Sequence, residues 1–308
     1  MDFRQLEYVV ALADLRVLAK ASERVFVTVS ALSQSIAKLE EEIGTPLFNR
    51  TKGGWTLTHA GRIYVEAGRE ILRMKKRVMG EIGDIIDGQK GSLSIGFSPG
   101  RSLALFREVF PQFNATYPNV KLNLREMYAR ELEDMVAKGE LDMAFTTTVL
   151  DHPGLEYEVL KHEDFVLAMP RTPKYRNMIE TFTGGETNRI KTVDIRLLRD
   201  EEFLIMSPVT TMRVVTDIIF EKAGFMPKAF FEINSISTMY SLIEGGHGMS
   251  IIPRRDELST KNVALFRTDP PGGWDIAVAS LKGSYASSAQ KYFISLARHY
   301  YAAVHPSK

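Results

Sequence analysis

The sequence predicts an α/β chain with an all-α-rich head: a winged helix-turn-helix, a long linker helix, then two α/β lobes. Three observations predict it. Apolar residues recur at helical spacing in three successive amino-terminal segments, with a tight turn before the third. A basic two-stranded ribbon and one long helical stretch come next. From about residue 90 onward strand and helix patterns alternate, as they do in sheets covered by helices.

Composition bounds the reading. At 308 residues, with 44% hydrophobic and 25% charged content, the chain is globular and long enough for two or three domains. The absence of cysteine excludes a disulfide scaffold, a thiolate nucleophile and any cysteine-ligated zinc, and fits a reducing compartment. "MDFRQLEYVVALADLR" interrupts its apolar run with Asp14 and Arg16 and has no basic leader, so it does not read as a signal peptide. No stretch approaches the roughly 18 uncharged apolar residues of a membrane span. A cytoplasmic location with no membrane partner is expected.

Asp2 and Gln5 occupy capping-box positions before a helix with Phe3, Leu6, Val10 and Ala13 on one face. A short helix over Leu18 to Arg24 follows, and "FVT" turns into Thr28, a good N-cap. The third helix, "VTVSALSQSIAKLEEEI", carries an apolar stripe of Leu32, Ile36, Leu39 and Ile43. Its other side holds Ser30, Ser33, Gln34 and Ala37 where a solvated helix of this chain would carry charge. In the helix-turn-helix plan that side enters the DNA major groove, where hydroxyls and amides pair with base edges or phosphates. An amphipathic helix with an undemanding small-residue face is the competing reading.

"PLFNRTKGGWTLTHAG" reads as a strand, a Lys-Gly-Gly turn, a strand through Trp55 and Leu57, and Thr58 capping a new helix. Such a wing can touch phosphate through Arg50 and Lys52. From Arg50 to Arg77 there are eight basic residues against two acidic, an imbalance the chain's net charge of +1 conceals. A helix from His59 to about Asp87 spans roughly 29 residues, or about 43 Å. Its apolar pairs lie seven apart (Tyr64-Val65, Ile71-Leu72, Val78-Met79, Ile85-Ile86), a stripe suited to pairing two subunits.

These motifs carry a resemblance. "ALSQSIAKLEEEIG", "PLFNR" and "LTHAG", in that order and spacing, resemble the amino-terminal region of the LysR-type transcriptional regulators. The match implies a DNA-binding domain over 1–58, with Thr28, Val29, Ser30, Ser33, Gln34, Lys38, Arg50 and Lys52 at the DNA, and a linker and dimerisation helix over 59–88. Two departures stand out. Arg16-Val17-Leu18 replaces the family's usual Gly-Ser-Phe, and Val29 sits where a polar residue is common.

Beyond "DGQKGSLSIGF", strands at 93–97, 120–126 and 142–146 alternate with helices at 103–116 and 130–138, predicting a mostly parallel sheet. The pattern returns with strands at 203–206, 229–233 and 249–253 and helices at 211–223 and 237–244. In each half the first strand ends in a hydroxyl-rich turn at a helix start, "SPGRS" at 98–102 and "SPVTT" at 207–211. Such turns are commonly plain caps, yet open α/β sheets bind ligands at strand carboxyl ends, and helix N-termini attract anions. "GGHG" at 245–248 follows a helix and precedes a strand, the reverse of a phosphate loop, so it reads as helix termination.

"GSLSIGF", "FPQFNATYPNVKLNL", "GELDMAF" and "IEGGHGMSIIP" resemble the same family's effector domain, a two-lobed fold similar to the periplasmic binding proteins. The resemblance implies lobe I over 92–164 and 271–308 and lobe II over 165–270. By position it places Ser98, Arg101, Ser102, Thr146, Thr147, Ser207, Thr210 and His247 at an effector cleft, and Arg101 argues for an anionic effector. The segment 171–192 is longer than the family usually carries, as a surface excursion or an added contact.

The function expected is DNA-binding gene regulation controlled by a small effector. Expected partners are double-stranded DNA, the effector, a second copy through the linker helix, a homotetramer, and RNA polymerase. A solute-binding protein without gene control is the alternative, and the basic head counts against it. No histidine has metal spacing and no Gly-x-Ser-x-Gly elbow or Walker loop occurs, so no catalytic residue, cofactor or metal is assigned.

Overall fold

A computed structural model describes residues 2–51, 54–86, 90–99, 102–184, 190–254 and 261–304. Contacts gather into two units, Met1–Asp87 and Gly88–Lys308.

In the first unit, α1 (Phe3–Leu15) opens on a capping box: the Asp2 side chain accepts from the backbone, and the Asp2 N–H donates to Gln5 Oε1 at 3.1 Å. Helix α2 (Leu18–Arg24) precedes α3 (Val29–Ile43), whose first turn is capped by Thr28 Oγ1 accepting from Ala31 N–H at 3.2 Å. Leu32, Ile36 and Leu39 are buried against α1 and α2, whereas Ile43, in the last turn, stays exposed.

The wing is β1 (Phe48–Thr51) paired antiparallel with β2 (Gly54–Leu57). Glu40 ties it to α3, its Oε1 accepting from Leu47 N–H at 2.7 Å and Phe48 N–H at 3.0 Å. Trp55 N–H donates to Arg16 O at 2.9 Å, so β2 passes close under the end of α1. Gly54 permits this: its φ is +115°, and a Cβ there would lie 2.6 Å from Arg16 O.

Helix α4 (His59–Ile86) spans about 42 Å. Val65 is buried and Tyr64 and Leu72 pack on the head, but Val78 and Met79 are 46% and 63% exposed. Several cations of the basic run are already engaged. Asp14 pairs with both Arg69 and Arg24, Lys75 meets Glu7 at 3.0 Å and Arg77 meets Glu81 at 2.7 Å. Much of that charge braces α4 internally.

The second unit runs β3 (Lys90–Phe97), α5 (Ser102–Thr116), β4 (Asn119–Glu126), α6 (Ala129–Ala137) and β5 (Met143–Thr147). Next come β6 (Leu155–Pro170), α7 (Arg176–Thr183), β7 (Thr192–Asp194), a tight 3-10 turn (Ile195–Leu198) and β8 (Glu202–Met206). The chain finishes with α8 (Thr211–Lys222), β9 (Lys228–Ile233), α9 (Ile236–Glu244), β10 (Ser250–Pro253), β11 (Val263–Asp269), β12 (Gly273–Leu281) and α10 (Ser288–Val304).

Strands β4, β3 and β5 are parallel, but β12 enters antiparallel between β5 and β6, and both β10 and β11 run antiparallel to β6. The sheet is therefore mixed, not mostly parallel. The antiparallel steps come from β12, which returns from late in the chain and inserts between β5 and β6, two strands that run in the same direction. Strands β8 and β9 form a parallel pair of their own.

Strand β6 pairs with β12 through Asp164 and with β10 and β11 from Phe165 onward. One apolar core, around Phe113, Phe145 and Phe293, lies before that change, and another, around Phe203, Phe220 and Phe266, lies after it. The long segment at 171–192 adds α7 to the second core, burying Ile179 and setting Phe182 edge-on to Phe266 at 5.6 Å. Residues 185–189 of that segment lie outside the described ones.

The Asp14 carboxylate has a side-chain exposure of only 7%, beside an Arg69 side chain exposed by 16%. Replacing Asp14 by Ala is expected to destabilise the head by about 2–4 kcal/mol, since it leaves a largely buried guanidinium unpaired. Chemical denaturation should show a lower midpoint at unchanged slope; an unmoved midpoint would assign the pair no stabilising role.

Candidate functional site

The outer face of α3 presents Val29, Ser30, Gln34, Ala37 and Lys38 to solvent, with Ser33 half-buried. Thr28 sits at its entry, with its hydroxyl 3.1 Å from Ser30 Oγ. This face projects one apolar methyl cluster, hydroxyls, one amide and one ammonium, an inventory suited to base edges and phosphate. On the wing, the Arg50 guanidinium lies 4.7 Å from the Trp55 ring centroid and 3.7 Å from Glu40 Oε2, so it is held in place yet still exposed on one side. Lys52 lies outside the described residues.

In the second unit a cleft, partly open to solvent, forms where strand ends and helix starts meet. Ser98 and Pro99 follow β3, and Thr147 ends β5. Tyr128 and Ala129 begin α6, Thr210, Thr211 and Met212 begin α8, and Asn234 and Ile236 begin α9. Met206 and Trp274 complete the lining. Three helices thus bring their amino-terminal turns to one space, each contributing partial positive charge and outward N–H groups. Thr210 Oγ1 and Ser235 Oγ cap α8 and α9, whereas α6 has no side-chain cap. Thr147 is buried, and its hydroxyl has no hydrogen-bond partner among the described residues. Polar groups of this kind are rarely left unsatisfied.

Two family models match the chain: the LysR-family bacterial regulatory helix-turn-helix over residues 3–62, and the LysR substrate-binding domain over residues 87–302. The chain belongs to the LysR family. It is a DNA-binding transcriptional regulator with an effector-binding domain and not an enzyme, which decides against the solute-binding alternative. The regulator is 31% identical to the HTH-type transcriptional regulator YcgK of Bacillus subtilis, over 97% of this chain and 94% of that protein. It is 28% identical to the nitrogen assimilation regulatory protein nac of Escherichia coli, over 82% of this chain and 78% of that one. Among solved structures it is similar in fold to a full-length OxyR variant from Pseudomonas aeruginosa, with a TM-score of 0.66 at 21% identity, covering 98% of this chain and 95% of that one.

Of the eight residues placed at the cleft from sequence, Ser98, Thr147 and Thr210 line it. Three others do not. Side chains alternate along β5, so Thr146 points to the opposite face from Thr147, is fully buried, and donates to Glu133 Oε1 at 3.4 Å. Ser207 closes the turn after β8, its N–H donating to Ile233 O at 2.9 Å and its carbonyl accepting from Thr210. His247 is exposed beyond the end of α9, where its N–H donates to Leu242 O at 2.9 Å. Arg101 and the Ser102 side chain fall outside the described residues.

Asn234, Ile236, Tyr128 and Ala129 went unnoticed. The rule that pointed to "SPGRS" and "SPVTT" would have found them, because "INSIS" and "EMYAR" also pass from a strand end to a helix start. Trp274 carried no such signal. Among the described residues no His, Asp and Glu cluster could hold a metal ion, and no helix is long and apolar enough to cross a membrane.

One turn into α6, Glu133 is buried against Thr146 and Tyr157. Burial pushes its carboxyl up to about 7, opposed by hydrogen bonds from Thr146 and Tyr157. Burial and the Glu133 charge push the Tyr157 phenol up to about 12. With its folded value above the unfolded one, Glu133 favours the folded state most below the unfolded value, and that contribution is lost as pH rises through about 7. Glu133→Gln, neutral throughout, is expected to melt a few degrees above the parent near pH 8 and level with it only below about pH 4. An equal gain at both pH values would place the charge of Glu133 outside the balance.

Proposed function

We propose that this regulator reads double-stranded DNA with the exposed face of α3 and the wing, under control of a small anionic effector held in the cleft. Ser30, Ser33 and Gln34 supply base readout, Val29 supplies a methyl contact, and Thr28, Lys38, Arg50 and Lys52 supply phosphate contacts. The observation that carries the effector reading is the buried Thr147 hydroxyl, unpartnered among the described residues, at a cleft ringed by three helix N-termini. A carboxylate there accepts from the amides of α6 and from Thr147, and its charge opposes the positive helix ends. Arg101 and Ser102, which the family resemblance assigns to the cleft, belong to the same reading. The effector acts by binding two arrangements of the lobes with different affinity.

The expected response to ligand is direct. Small carboxylates should raise the melting temperature of the full chain, and their neutral amides should not. Thr147→Val should weaken the carboxylate effect roughly tenfold. Equal stabilisation by acid and amide would remove the anionic assignment.

Met74, Val78, Met79 and Ile82 are exposed on the distal part of α4, too many apolar groups for a solvated helix. We read them as the seam of a homodimer, with two such dimers forming a tetramer in the cytoplasm, in contact with RNA polymerase at the promoter. Met79→Glu is expected to shift the sedimenting mass downward and weaken operator binding. Gln34→Ala should leave the mass unchanged and cost about 1–3 kcal/mol of operator affinity. Retention of full mass by Met79→Glu would displace the seam from α4.

A further inference from the structure

Trp274 is the largest side chain of the cleft and the one most firmly held. It lies on β12 directly opposite Glu163 of β6, at the point where β6 changes partners. Its Nε1–H donates to Glu163 Oε2 at 2.8 Å, and its ring stands edge-on to Phe165 with centroids 4.8 Å apart and planes at 89°. Both residues are 6% exposed. The strand begins flush against β6, because a Cβ on Gly273 would lie 2.8 Å from Glu163 O. The indole is therefore held on two sides, by a carboxylate and by an aromatic ring.

That clamp has a chemical consequence. The one polar atom of the indole is satisfied away from the cleft, so what Trp274 offers a ligand is ring carbon. Met206, Met212 and Ile236 line the same space, and thioether and aliphatic groups pack well against flat rings. Apolar walls thus face the polar corner built by Thr147 and the start of α6. We propose that Trp274 is the specificity-determining wall of the cleft, that Glu163 is its positioning residue, and that the ligand is a small carboxylate carrying a planar apolar ring. The proposal rests on the anion reading of the cleft and adds what the rest of the ligand must be. A carboxylate without a ring fills the polar corner and leaves the wall uncovered. A ring without a charge covers the wall and leaves the helix ends unopposed.

The chain has two tryptophans, so Trp55→Phe in the full-length protein makes Trp274 the sole indole emitter. This protein is titrated with benzoate, acetate and benzamide, following emission and, in parallel, melting temperature. The result expected is a change in Trp274 emission with benzoate, at an affinity at least about tenfold above those of acetate and benzamide. In the same background Glu163→Leu should abolish most of the benzoate-over-acetate preference, and Glu163→Gln, whose amide oxygen still accepts from the indole, should keep it. Trp274→Phe, followed by calorimetry, covers the case in which Glu163→Leu does not fold, and should lower that preference several-fold.

The outcomes separate the two claims. If benzoate and acetate bind alike and both exceed benzamide, the wall is overturned while the anion reading stands. If benzamide matches benzoate, the carboxylate requirement is overturned while a ring-binding wall remains. No response to any of the three at about 10 mM overturns both. A preference unchanged in Glu163→Leu, or in Trp274→Phe if that protein alone can be measured, overturns the role given to the replaced side chain.

Discussion

Strand β6 is the constraint on which the effector unit depends. Its sixteen residues pair with β12 in the first part and with β10 and β11 in the second, without an intervening turn. Two apolar cores are thereby built side by side along one continuous backbone. Parallel strands on both sides of the change end at the same space, and the helices that follow them start there. A cleft made this way is electropositive before any charged side chain is counted, because it is lined with helix beginnings. Methionine, isoleucine and tryptophan add apolar walls to its hydroxyl and amide groups.

The head solves a different problem, that of using cations both for cohesion and for display. Asp14 takes up Arg24 and Arg69, and Glu7 takes up Lys75, where α1 packs on α4. Lys38 remains on the open face of α3, and Arg50 is steadied above Trp55 with its outer side exposed. The segment charge therefore overstates what is available to a polyanion. Helix α4 is divided in the same sense. Its first turns complete the head, as Val65 shows, and its later turns carry apolar residues that stay exposed.

Much of the architecture was legible from short-range chemistry. The capping box at Asp2 and Gln5, the Thr28 cap, the α2 span and the two wing strands depend on residues within a few positions of one another. The mixed sheet was not legible, because alternating strands and helices look alike whether a returning strand such as β12 inserts parallel or antiparallel. In the cleft, hydroxyl-bearing turns disclosed Ser98 and Thr210. Thr146 and Thr147 are chemically identical neighbours, and only the pleat of β5 sends one to the cleft and the other to Glu133.

By itself, then, the sequence determined the elements of the head, the family, and the polar face of α3, because helix periodicity, caps and fixed motif spacing are written in local order. Tertiary structure alone decided which basic residues are spent on Asp14 and Glu7. It also decided that Trp274, 111 residues from Glu163 in the chain, is gripped by that carboxylate at the edge of the cleft. Pairing across that separation is set by strand register and the closing of two cores around one strand, and neither leaves a periodic mark on the residues that meet.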